Sequence, residues 1–100
     1  MIQNQFAPIS VIIPCFRSTK TIERVVASVA AQTLVPIEVI LVDDASGDGT
    51  LELLKKLCST YKAGWIKLVA WPTNLGADSV RNAGWAAARQ KFIDFLECVF

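Results

Sequence analysis

The stretch Val39-Ile40-Leu41-Val42-Asp43-Asp44-Ala45-Ser46-Gly47-Asp48-Gly49-Thr50 decides how this chain is read. Four consecutive aliphatic residues stop at two carboxylates, a glycine-rich turn follows, and then a helix start. A continuous apolar run is what a strand covered on both faces requires. Carboxylates at the carboxyl end of such a strand, where the chain turns into a helix, sit where open α/β sheets bind ligands. A second run of this kind, Ile9-Ser10-Val11-Ile12-Ile13-Pro14-Cys15-Phe16, lies upstream. Together the two runs predict an α/β layer that binds a nucleotide.

Outward from these runs the pattern alternates between strands and helices. Residues 9–16 and 38–43 read as the first two strands, with a third over 66–71 and a fourth over 92–96. Between the first two, Ile22, Val25, Val26 and Val29 recur at i, i+3, i+4, i+7, a helical stripe. Ser18 or Thr19 can cap that helix, and residues 32–36 end it, since a residue before proline disfavours the α region. Ser46 or Asp48 can cap a second helix with Leu51, Leu54, Leu57 and Cys58 on one face, broken at Ala63-Gly64. A third helix is predicted over 77–89. Its small-residue face, Val80, Ala83, Gly84 and Ala87, lets it approach a sheet closely. The order β-α-β-α-β-α-β, with connections long enough for parallel crossovers, predicts three layers, α/β/α, around a mainly parallel sheet. Residues 1–100 are read as a single, partial domain.

Composition narrows the functions. Hydrophobic residues make up 53% of the 100-residue chain and charged residues 19%, which supports a buried core. The net charge is +1 and the basic residues are scattered, so no nucleic-acid footprint is present. No apolar run approaches the roughly 20 residues that span a bilayer. Residues 1–8 lack the regions of a secretory signal, and a cytoplasmic location is the expectation. Cys15, Cys58 and Cys98 are widely spaced and the chain has no His, so a structural zinc site is not expected. Ser46-Gly47-Asp48-Gly49-Thr50 lacks the Lys and the spacing of a P-loop, and Asp48 would repel phosphate; it reads as a turn and helix cap. No G-x-G-x-x-G follows the first strand, which argues against a dinucleotide-binding domain.

Four segments, in order, resemble the family 2 glycosyltransferases of GT-A fold. They are Val11-Ile12-Ile13-Pro14-Cys15-Phe16, Ser28-Val29-Ala30-Ala31-Gln32-Thr33, Glu38 through Thr50, and Asn74-Leu75-Gly76-Ala77-Asp78-Ser79-Val80-Arg81-Asn82-Ala83-Gly84. The resemblance covers roughly residues 9–97 and corresponds to the Rossmann-like, nucleotide-sugar-binding half of that fold. It implies the strand order 3-2-1-4 and a site at the carboxyl ends of strands one and two. The implied reaction is transfer of a sugar from a nucleotide diphosphate sugar, a UDP-sugar first, to an acceptor. The same resemblance implies that Pro14 and Phe16 flank the nucleobase. Asp44 accepts a hydrogen bond from base or ribose, Asp43 supports it, and Arg81 approaches the base or diphosphate, with Asn82 shaping the loop–helix junction. The chemistry fits: a carboxylate accepts strong hydrogen bonds, and a guanidinium suits a diphosphate.

The resemblance also implies Mn2+ or Mg2+, held by an acidic cluster at the end of the fourth strand. Here that position reads Phe95-Leu96-Glu97-Cys98-Val99-Phe100. It keeps Glu97 as a weak metal candidate and puts Val99 where a second acid is expected, so the metal motif is not intact. No catalytic residue is assigned; what is implied is a donor-binding half, truncated at the metal motif, with activity of these residues alone not implied. An alternative is a non-catalytic, self-associating interaction module. Phe92, Ile93, Phe95, Leu96, Val99 and Phe100 would leave apolar surface on an uncovered strand, which predicts a homodimer through it. Leu41-Val42-Asp43-Asp44 also resembles the first acidic strand of phosphoacceptor receiver domains. Those domains need a later strand-end Asp and a Lys, and here Asp94 sits mid-strand with no Lys-bearing strand after it.

Overall fold

The computed structural model describes residues 5–16, 19–45, 47–71, 73, 76–90 and 92–95. Their elements, in chain order, are β1 (Gln5–Pro14), α1 (Ile22–Ala30), β2 (Leu34–Asp44), α2 (Thr50–Thr60), β3 (Ile66–Trp71), α3 (Ala77–Ala87) and β4 (Phe92–Phe95). The four strands form one sheet in the order β3-β2-β1-β4, and every pairing is parallel. Both central strands are covered on both faces, which is why they read as unbroken aliphatic runs: Ile12, Ile13 and Val39 through Val42 are fully buried.

Successive side chains of a strand point to opposite faces, and the packing follows that alternation. Val11 and Ile13 of β1 and Cys15 just after it, with Val39 and Leu41 of β2, meet Ile22, Val25, Val26 and Val29 of α1 and Leu54 and Leu57 of α2. Ile12, Ile40 and Val42 face the other way, against Val80 of α3, with Val69, Trp71 and Ile93 around them. The result is the three-layer arrangement, α1 and α2 on one side and α3 on the other.

The first two strands begin earlier than their apolar runs predict, each running through a proline. β1 begins at Gln5 and β2 at Leu34, although Pro8 and Pro36 lie inside them. The β1–β2 register shifts between Ala7 and Ser10, so Pro8 sits at an irregularity. Pro36 lies before Val39, where β3 begins to pair. In both places the missing N–H costs no ladder bond. α1 ends at Ala30, just before the 32–36 segment expected to stop it, with Ala31 N–H bonded to the Ala27 carbonyl at 3.0 Å. Its N-cap is Thr21, whose side chain makes no cap hydrogen bond. Ser18 and Ser46, expected as caps, lie outside the described residues.

A buried polar cluster fastens the α3–β4 junction to the sheet. Glu38 is 7% exposed. Its Oε2 accepts hydrogen bonds from the Ser10 hydroxyl and, at 2.6 Å, from the Arg89 backbone N–H. Ser10 Oγ in turn accepts the Gln90 N–H at 3.2 Å. Lys67 Nζ lies 3.8 Å from Glu38 Oε1 and donates to the Ala87 carbonyl at 3.2 Å. Burial pushes the Glu38 carboxyl upward, but Ser10, the Arg89 N–H and the nearby cations together outweigh it and hold the group below the usual range.

α3 also meets the sheet through Gly84, which is buried against Ile12. A Cβ at Gly84 would press on the Ile12 side chain, with Cδ1 at 3.1 Å and Cγ1 at 3.2 Å. Ile12 is fully buried and has little room to give. Gly84→Ala should therefore lower stability by about 1–3 kcal/mol, read as a lower urea midpoint. An unchanged midpoint would show that α3 does not sit this close to β1.

Candidate functional site

At the carboxyl ends of β1 and β2 the chain leaves the sheet abruptly. Asp43 and Asp44 are both buried, at 3% and 4% exposure, and pair in register with Ala70 and Trp71 of β3. Alternation separates them. Asp43 shares the parity of Val39 and Leu41 and faces the α1/α2 layer, whereas Asp44 shares that of Ile40 and Val42 and faces α3. Asp44 Oδ2 accepts the Gly76 N–H at 3.0 Å. Gly76 is the N-cap of α3, and its carbonyl receives the Val80 N–H at 3.1 Å. One carboxylate thus pins the start of a helix to the end of a strand.

The residue after Asp44 is strained. Ala45 has φ 56°, the left-handed region. That conformation costs a non-glycine residue about 1–2 kcal/mol, and such strain gathers at ligand sites. Gly47 and Gly49 complete the turn at positive φ. No pattern in the sequence signals Ala45; the adjacent glycines are the nearest clue. At the start of α2, Asp48 Oδ1 accepts the Thr50 N–H at 3.2 Å and the Thr50 hydroxyl at 2.5 Å. The N-cap itself is Gly49, which brings no side chain to the helix; Asp48, expected as the cap, lies one residue before it and places its negative charge at the positive end of α2.

From β1, Pro14 pairs with Val42, and the Cys15 N–H continues the ladder to the Val42 carbonyl at 2.7 Å. Continuing that register brings Phe16 level with Asp44. The Cys15 side chain turns into the α1/α2 core, while Phe16 is 47% exposed. Arg81 is exposed on α3, one turn beyond its start, and Asn82 beside it is exposed too. Asp44, Pro14, Phe16 and the start of α3 therefore share one end of the sheet. Asp43 lies at the same end but faces the opposite layer.

Among the described residues no group of three or more His, Cys, Asp or Glu could hold a metal ion. Glu97, the metal candidate, lies outside the described residues, as do Leu96 through Phe100. No helix among the described residues is long and apolar enough to cross a membrane. A groove of about 500 Å³ opens at the other end of the sheet, lined by Phe6, Val35, Ile37, Tyr61, Lys62 and Trp65 among others. The Trp65 indole N–H there is used by the Pro36 carbonyl at 2.9 Å. That groove lacks the converging polar groups that orient a nucleotide.

The described fold agrees with the family comparison. The model of glycosyl transferase family 2 matches residues 10–98, and the chain belongs to that family. It is 34% identical over 89 residues to a cholesterol galactosyltransferase of Borreliella burgdorferi, covering 89% of this chain and 24% of that protein. The succinoglycan biosynthesis protein ExoO of Rhizobium meliloti matches at 34% identity with the same coverage. Among solved structures, S. aureus TarS 1-349 in complex with UDP-GlcNAc aligns with a TM-score of 0.76 and 30% identity, over 90% of this chain and 26% of that one. The mannosyltransferase PcManGT of Pyrobaculum calidifontis, in complex with GDP-Man and Mn2+, aligns with a TM-score of 0.81 at 23% identity, over 91% of this chain and 27% of that one. The fold is the Rossmann-like part of a GT-A fold. The chain spans about a quarter of the length of these relatives.

The Asp48 contacts at the start of α2 have a direct test. Asp48→Ala should cost about 0.5–1.5 kcal/mol of stability, measured by urea unfolding, because the Thr50 N–H and hydroxyl lose their acceptor. A variant as stable as the parent chain would show that the Asp48 contacts contribute nothing to α2.

Proposed function

We propose that this chain forms the donor-binding part of a family 2 glycosyltransferase and takes the nucleoside diphosphate of a sugar donor, UDP first, at the carboxyl ends of β1 and β2. The observation that carries this reading is Asp44: a buried carboxylate at a strand end, facing the start of a helix and 3.0 Å from the Gly76 N–H. Uracil presents an imide N–H and ribose presents hydroxyls, both donors to such an acceptor. The exposed Phe16 ring offers a face to the base, and Pro14 shapes the wall beside it. Asp43 supports the strand end from the opposite layer. Arg81 supplies a guanidinium for the diphosphate. The TarS complex with UDP-GlcNAc supports uridine as the first candidate, and the PcManGT complex with Mn2+ supports testing a divalent cation. Transfer of the sugar to an acceptor requires groups beyond the described residues, so donor binding is the role assigned to residues 1–100, taken as part of one domain.

A second reading, a non-catalytic and self-associating module, has one observation in its favour: among the described residues β4 pairs only with β1, which leaves an edge of the kind that recruits another strand. One experiment separates the two. The chain is titrated calorimetrically with UDP, GDP and CDP, each with and without Mn2+, and its mass is followed by light scattering. We expect UDP to bind, and Asp44→Ala to weaken that binding at least tenfold. A folded chain that binds none of the three and is dimeric at micromolar concentration would overturn donor binding in favour of the module.

A further inference from the structure

β2 carries two carboxylates on its α3 face, Glu38 and Asp44, and each holds a backbone N–H at one end of α3. Asp44 takes the N–H of Gly76, which precedes the helix. Glu38 takes the N–H of Arg89, just beyond its end. The lengths match. Six strand residues span about 20 Å, and an eleven-residue helix spans about 16 Å, with the flanking residues bridging the difference. Lys67 and Ser10 reinforce the lower end, by way of the Ala87 carbonyl and the Gln90 N–H.

We infer that Glu38 is a positioning residue for donor binding. It touches no ligand, but it fixes α3 along β2 and so sets the height at which the Gly76 junction and Arg81 meet Asp44. The inference rests on the donor-site reading above. It has a physical motive. Asp44 is shared between the helix start and the proposed ligand, so the helix needs a second anchor that the ligand never contests. Glu38 is suited to that part, because it is buried and bonded to the α3–β4 junction from the middle of the same strand, six residues before Asp44. The Phe92–Phe95 strand that follows the junction pairs with β1 from Ile9 to Ile12, so the same anchor also sets the entry of β4.

The test uses the whole chain, with Glu38→Ala, Glu38→Gln and Ser10→Ala compared for UDP affinity by calorimetry and for amide hydrogen exchange by NMR. Glu38→Ala should weaken UDP binding at least fivefold and speed exchange at Gly76, at the far end of the helix, while the chain stays folded. Glu38→Gln keeps an oxygen for the Arg89 N–H and the Ser10 hydroxyl, and should restore affinity to within about twofold. Should Glu38→Ala fail to fold, Ser10→Ala decides: a loss of about threefold supports the anchor, and unchanged affinity overturns it. The inference is also overturned if a folded Glu38→Ala chain binds UDP like the parent, or if Glu38→Gln fails to rescue. If the parent chain binds no UDP, the donor-site reading falls first. The anchor is then judged on Gly76 exchange alone, and an unchanged rate in Glu38→Ala overturns it.

Discussion

The alternation of side chains along β2 is the constraint on which the rest of this structure depends. It sends Val39, Leu41 and Asp43 toward α1 and α2, and Glu38, Ile40, Val42 and Asp44 toward α3. The apolar members of each set build the two cores. The carboxylates at the ends of the second set fasten the helix that lies over it. A slip of one residue in the β2 register would exchange the two faces, bury Asp43 under α3 and leave Gly76 and Arg89 without their acceptors. The sheet and the candidate site are therefore specified by the same residues.

The hydrogen bond between Asp44 and the Gly76 N–H joins fold to function. A buried carboxylate is costly unless hydrogen-bonded, and the N–H of a helix cap is among the backbone groups that need a partner. Each satisfies the other, at the end of the sheet where an open α/β fold receives ligands. Ala45, held in the left-handed region directly after Asp44, shows that the turn is shaped against its own local preference. A buried acid, a strained turn, an exposed aromatic ring and a helix start at one sheet end suit a ligand with a flat base, ribose hydroxyls and a charged diphosphate. The described residues hold no comparable set at the apolar groove beside Trp65.

Much of this was legible in the residues. β3 runs from Ile66 to Trp71 as its pattern predicts, because Gly64 and Pro72 bracket a short apolar run. The helical stripe of α1 and the small-residue face of α3 are where the periodicity puts them, and Gly84 is buried against Ile12. The early portions of β1 and β2 were not legible, because the aliphatic runs that mark these strands start only after Pro8 and Pro36; only the pairing pattern shows that neither position owes a ladder bond. Asp44 was legible as a strand-end acid, but not its bond to Gly76, which joins residues 32 positions apart. The Glu38 cluster was hidden for the same reason. Ser10, Glu38, Lys67 and Arg89 are scattered along the chain, and the one signal was a lone carboxylate inside the apolar run that opens at Leu34.

The most direct test is a crystal structure of the chain grown with UDP. The account predicts uridine between Phe16 and the start of α3, with Asp44 accepting a hydrogen bond from the base or ribose and the diphosphate turned toward Arg81. UDP bound elsewhere, such as in the groove beside Phe6 and Trp65, with the Asp44 end of the sheet unchanged, would contradict it.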